Sequence, residues 1–218
     1  MSTLPHIEVL RTRLAPSRFD KYVAATGGDT KQALQLYEWN AHTSAIFYVG
    51  LGQFEVLLRN ALDRQLVKYH KLGGGPGQWW NDPAMPFHGN LHGMLAGARK
   101  RAAGGASPAT HGKVIAELMF GFWRLVNNAH HSGTLWAPAL RHAFPHLRSK
   151  IRTDVYDRLD RLNTFRNRIA HYEPVHDVAL EDRFEDLLAV AGWICPTTAA
   201  WIWSTSADRL AEALRAKP

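Results

Sequence analysis

SKIRTDVYDRLDRLNTFRNRIAHYEP, running from Ser149 to Pro174, decides the fold. Its apolar side chains Val155, Leu159, Leu162, Phe165 and Ile169 advance by fours and threes, the spacing that places them on one side of an α-helix. Charged and amide residues fill the other positions. Pro174 ends the pattern, because the residue before a proline is pushed out of helical geometry and Glu173 occupies that place. The spacing predicts a helix over about 149–172, buried along one face. The same period recurs upstream in Phe47, Leu51, Phe54, Leu58, Ala61, Leu62 and Leu66, which predicts a long amphipathic helix over about 43–70. Asp29 or Thr30 caps a helix to about His42 that either continues into it or meets it at a kink.

Gly73, Gly74, Gly75 and Gly77, with Pro76, end the long helix and open a loop carrying Trp79 and Trp80. A weaker helix is expected over 90–103, then the loop 104–108. Val114, Leu118, Phe122 and Leu125 mark a helix over 113–130. A shorter one over 134–144 is interrupted by Pro138 and closed by Pro145. Helices over 180–194, 198–204 and 207–216 complete the chain. No segment sustains the alternation of a strand. The expected class is therefore all-α: a compact multi-helix bundle with long antiparallel helices, forming one domain over 1–218.

With 218 residues, 46% of them hydrophobic, the chain is long enough to bury a substantial core. Its 26 Lys and Arg exceed its 19 Asp and Glu, for a net charge of +7, which favours an anionic partner such as nucleic acid. One cysteine, Cys195, excludes an intrachain disulfide and a multi-cysteine metal cage. Residues 1–13 hold no apolar run suited to a secretory signal, so a cytoplasmic location is expected. Leu187 to Ala207 carries no charge and matches a membrane span of roughly 20 residues in length. Pro196, Thr197, Thr198, Ser204, Thr205 and Ser206 interrupt it, which predicts two buried helical segments turning at Cys195–Pro196 and no membrane partner.

The candidate chemistry lies in the last turns of the first-quoted helix. Asn167 and His171 are four residues apart and share a face, while Arg166 stands one position over with a long, flexible arm. A planar cation suited to phosphate, an amide that orients ligands and an imidazole able to give or take a proton could then meet at one spot. Such a set suits metal-free RNA cleavage, in which a base takes the ribose 2′-OH proton and a cation stabilises the charge growing on phosphorus. No cofactor or metal is needed. A second proton-transfer group is, and two copies of the chain meeting at this helix would provide it. The spacing alone is cheap in a chain with 12 histidines: Arg64 to His70, Arg124 to His130 and Arg141 to His146 also satisfy it. The adjacent Asn167 and the proline stop add specificity.

Arg166-Asn167-Arg168-Ile169-Ala170-His171-Tyr172-Glu173-Pro174 resembles the signature segment of the Abi-like family, linked to abortive infection. Arg18-Phe19-Asp20-Lys21-Tyr22, Ala33 to Asn40, Glu55-Val56-Leu57-Leu58-Arg59-Asn60 and Phe120-Gly121-Phe122-Trp123 with Leu135-Trp136 resemble further family blocks, in order, over about residues 17–175. That family is similar to the HEPN superfamily, all-helical proteins whose Arg and His, four to six residues apart, cut RNA across a dimer. The resemblance implies Arg166 and His171 as the catalytic pair, Asn167 as their polar companion and a homodimer with a composite site. It also implies use in phage defence or as a toxin restrained by an RNA or protein antitoxin. Glu173 stands where some HEPN toxins carry a tyrosine modified by a partner antitoxin, with Tyr172 one residue early.

Glu55 and Arg59 are spaced for a helical ion pair, and Arg59-Asn60 repeats the Arg-Asn pairing, so Glu55, Arg59 and Asn60 are expected near the site, with Arg168 and Glu173 flanking it. The rival readings are a non-catalytic RNA-binding module and a partner-binding scaffold. His88 and His92 have the spacing of metal ligands on one turn but lack further ligands nearby in sequence. Phe120, Phe122, Trp123, Trp136, Trp193, Trp201 and Trp203 are expected in the core rather than stacked on bases.

Overall fold

The computed structural model describes residues 7–14, 16–104 and 109–218; the expected loop after Gly104 and the first six residues fall outside them. All regular structure in the described residues is helical. The helices are α1 (Ile7–Arg13), α2 (Pro16–Ala25), α3 (Thr30–Leu72), α4 (Leu91–Ala103), α5 (His111–Glu117), α6 (Phe120–Leu125), α7 (Arg152–Ala170), α8 (Leu180–Ile194) and α9 (Pro196–Arg215). Short 3-10 turns lie at Trp79–Asn81, Ala129–His131 and Leu140–Ala143, and a π turn at Ser132–Trp136.

Of the two alternatives for the stretch before His70, the structure takes the continuous one: α3 has 43 residues and runs roughly 65 Å at 1.5 Å per residue. Asp29 starts it by accepting from the backbone N–H groups of Lys31 and Gln32 at 2.9 and 3.0 Å. No kink forms at His42, because the buried series runs on without a phase change through Leu36, Trp39, Asn40, Thr43, Phe47, Leu51 and Phe54. The other long helices pack around this spine. At Gly50 it runs close against α8 and α9: a Cβ there would lie 3.5 Å from Ser206 Oγ and 3.8 Å from a Leu187 methyl. A continuous apolar core runs from Phe19 to Leu210.

Three local expectations fail for physical reasons. The helix expected over 113–130 is cut at Leu118–Met119, where the backbone turns extended. An unbroken helix would point Phe120 and Trp123 away from Val114 and Leu118, whereas all four are buried. The Trp123 indole N–H donates to the carbonyl of Leu118 that the break sets free, at 3.2 Å. Residues 134–144 form only short turns, consistent with Pro138 lacking the N–H a longer helix needs. Conversely, α9 runs unbroken through Ser204–Ser206: the hydroxyls of Ser204 and Thr205 donate back to the carbonyls of Trp201 and Ile202, and the backbone ladder continues.

Pro196 opens α9 after an extended Cys195, so the uncharged stretch is two helices with a turn between them. No helix of the described residues is long and apolar enough to cross a membrane. The expected burial of aromatics holds for Phe120, Phe122, Trp123 and Trp136 but not for Trp201 and Trp203, which lie more than half exposed on α9. Among the described residues their helix packs chiefly against α3 and α8, and Trp203 lays its ring on Phe184 of α8, with centroids 5.8 Å apart, while the helix's other side meets solvent.

Candidate functional site

The apolar face of α7 fixes everything its other faces can do. Val155, Leu159, Leu162, Phe165 and Ile169 are buried, and Phe165 sets its edge against the ring of Phe47 on α3, with centroids 4.8 Å apart. Arg166, next to Phe165, is thereby carried to the α3 side. Its Nε lies 3.8 Å from Glu55 Oε2, with the two side chains 31% and 20% exposed. Glu55 thus pairs across to α7, and the ion pair expected along α3 to Arg59 does not close within 4 Å.

Burial pushes the Glu55 carboxyl above its ordinary value, while Arg166, then Arg59, and the backbone N–H of Phe120 pull it back. Arg59 keeps a buried Nε without a hydrogen-bond partner. The seam therefore holds two guanidiniums against one carboxylate. The guanidinium of Arg166 makes no hydrogen bond to any described residue, so the donors on its two terminal nitrogens remain available while its Nε faces Glu55.

The turn after α7 is held by bonds from several directions. His171 is the capping residue, and its N–H donates to the Asn167 carbonyl at 3.0 Å. Tyr172 follows in the left-handed region at φ 55°, and the N–H of Glu173 reaches back to Arg168 O at 2.8 Å, a Schellman closure. From α2, Arg18 Nη1 donates to Tyr172 O at 3.3 Å. From α3, Asn40 Oδ1 accepts from the N–H of Val175 at 2.6 Å. Arg168 donates to Asp177 Oδ1 at 2.8 Å and to the Pro174 carbonyl at 3.3 Å, so its charge is spent on bracing this turn.

Asn167 and His171 are exposed, and neither side chain bonds to a described residue. Glu173 and Asn60 are exposed as well, and no ion pair joins Glu173 to His171 among the described residues. Around the helix axis Asn167 and His171 stand roughly 40° apart, whereas Arg166 and His171 stand roughly 140° apart. One copy therefore presents the amide and the imidazole side by side, with the guanidinium around the flank.

That flank opens into a groove of about 660 Å³ between α3 and α7, lined by Tyr37, Asn40, Ala41, Ser44, Ala45, Tyr48, Val49, Arg166, Ile169, Ala170 and Tyr172. Among the described residues that line it are one cation and no carboxylate. Tyr48 and Tyr172 are 67% and 77% exposed. Reading the sequence for buried stripes misses both tyrosines. The available signal was the uncharged outer stripe of α3, Ala41, Ala45, Tyr48, Val49, Gly52 and Val56, with helical spacing but no side to pack on.

Elsewhere, His88 and His92 do not gather ligands: the His88 backbone N–H donates to His131 Nε2 at 3.0 Å, and the His92 ring lies against Phe87. No group of three or more His, Cys, Asp or Glu among the described residues is placed to hold a metal ion. No protein-family model matches the chain, and neither curated proteins nor solved structures give a match.

Proposed function

We propose that this protein is a metal-independent endoribonuclease of the Abi-like kind, similar to HEPN ribonucleases, acting in phage defence or as a toxin, with Arg166, Asn167 and His171 at its site. One observation carries the reading. The last turn of α7 presents an imidazole and an amide to solvent, neither bonded to a described residue, while around the flank of the same helix Arg166 faces Glu55 at 3.8 Å and makes no hydrogen bond to a described residue. Exposed polar side chains are satisfied by water, which a ligand can displace. Asn167 and His171 bond to no described residue, Arg166 has Glu55 across the seam, and the turn that follows them is held from α2 and α3.

In the proposed reaction, a base removes the 2′-OH proton, O2′ attacks phosphorus, and the 5′-oxygen leaves with a proton from an acid, giving a 2′,3′-cyclic phosphate and a 5′-hydroxyl. His171 fills one of the two proton-transfer roles. Arg166 stabilises the charge on the phosphoryl oxygens, and Asn167 orients the phosphate or the ribose. Because Arg166 and His171 diverge on one helix, a second copy supplies the second imidazole, so the active form is a homodimer. Glu55 acts as a positioning residue, holding Arg166 from across the seam.

Purified protein should cut single-stranded RNA in the presence of a chelator. His171→Ala and Arg166→Ala should each lower the rate at least a hundredfold while leaving the unfolding midpoint within a degree or two. Parent-like cutting by both variants would falsify the assignment. The divergence of Arg166 and His171 also favours a second reading, an RNA-binding module without cleavage. That reading predicts salt-sensitive binding that survives His171→Ala and leaves the RNA intact.

A further inference from the structure

We propose that the groove between α3 and α7 takes one unstacked nucleobase of single-stranded RNA against the rings of Tyr48 and Tyr172, with that nucleotide's phosphate on Arg166. The inference rests on the RNA reading above and goes beyond it by naming the residues that hold a base.

Four observations lead to it. The groove, at about 660 Å³, lies within the range of roughly 300–1,000 Å³ typical of small-molecule sites. Its walls combine two exposed phenol rings with small residues, Ala41 and Ala45, that leave flat space between the helices. Its one charged wall residue is Arg166, which makes no hydrogen bond to a described residue; Glu55, 3.8 Å from its Nε, lies outside the groove lining. That balance matches an apolar, planar group joined to an anion. It matches poorly an acidic or basic peptide, which would leave its charges unanswered against the alanines.

The fourth observation is strain. Tyr172 sits at φ 55°, a conformation that bulky residues rarely adopt and that glycine or asparagine commonly supplies at a helix end. The chain holds a large ring there, with its carbonyl bonded to Arg18, and leaves that ring in solvent at the mouth of the groove. Strain retained at an exposed position points to a use for the side chain. Stacking on a tyrosine face accepts any base, so the groove would add affinity and register more than sequence preference. A base seated there fixes the adjoining phosphate at Arg166, on the flank of α7 that leads to Asn167 and His171.

The test uses the full chain carrying His171→Ala, so that RNA stays intact, and a fluorescent oligouridylate. Tyr48→Ala and Tyr172→Gly should each weaken binding about tenfold, while Tyr48→Phe and Tyr172→Phe keep it near the parent. An abasic ribose-phosphate oligomer should bind the parent as weakly as oligouridylate binds Tyr48→Ala. Equal affinity for the abasic oligomer means the protein reads only backbone, and the proposal falls. Tighter binding of uridine monophosphate than of the oligomer makes the occupant a free nucleotide, and the proposal again falls. If Tyr48→Ala loses binding only because it also turns a dimer into a monomer on size-exclusion chromatography, the groove is a seam between copies and the proposal is wrong. Cleavage by the otherwise unaltered chain is followed in parallel. RNA cutting with no effect of either tyrosine on affinity sinks the base site alone, whereas neither cutting nor binding sinks both readings.

Discussion

At residue scale, the side chains that matter most here are those whose surroundings oppose them. Tyr172 is strained by its left-handed backbone, so Tyr172→Gly should raise stability by about 1 kcal/mol even as it removes a groove wall. Urea unfolding of the two proteins checks this, and a lower midpoint for the glycine variant would mean the ring contributes packing that its exposure conceals. Gly75 shows the reverse case. His70 is buried and bonds Asp82 Oδ2 through Nε2 at 2.9 Å, and a Cβ on Gly75 would lie 2.2 Å from that same nitrogen. Only a residue without a side chain lets the loop close over the ring. Gly75→Ala should therefore cost about 1–3 kcal/mol, read from the unfolding midpoint. A midpoint unchanged within error would show that the loop simply lifts away.

At the scale of elements, α3 is both the spine and one wall of the groove, so its two interior glycines test different things. Gly50 faces α8 and α9, while Gly52 faces open space with nothing within 4 Å of a Cβ. Gly52→Ala should stabilise the protein by about 0.5–1 kcal/mol, because helix propensity rises with no contact to strain. The expected readout is a higher melting temperature. A fall would indicate that Gly52 allows a close approach by another molecule, such as a second copy lying along this stripe. The α7 helix was legible because five apolar residues keep one phase and Pro174 stops it. The break between α5 and α6 was not legible, because Val114, Leu118, Phe122 and Leu125 keep a helical phase even though Phe120 and Trp123 must be buried too.

For the whole molecule, stability should fall on the acid side of neutrality through His131. Burial first, then the neighbouring His88 and His130, lowers this imidazole from its ordinary 6.5 to about 4, partly offset by the Leu125 carbonyl that faces Nδ1. Nδ1 donates to that carbonyl, and Nε2 accepts from the His88 N–H, so a second proton would meet a donor. The sign follows: between about pH 6.5 and pH 4 the unfolded chain binds a proton that the folded chain refuses, so the fold loses stability as pH falls. Over the full window the loss approaches ~3 kcal/mol. His176 is shifted in the same direction, chiefly by burial, and adds to it. His131→Gln should be less stable than the parent at pH 7, and the gap should narrow by pH 4.5. A gap that stays constant would remove His131 as the cause.

Local chemistry along the chain determined the helical class, the positions of α3, α7 and α8, the turn at Cys195–Pro196 and the exposed end at His171, because apolar period, caps and prolines act over a few residues. Tertiary structure alone decided that Arg166 leans to Glu55 across the α3 seam, that Trp201 and Trp203 stay in solvent, and that Tyr48 and Tyr172 frame one groove. Those outcomes depend on which faces of distant helices meet. A repeat along one helix records which side is apolar, but not which neighbour covers it or which side is left bare.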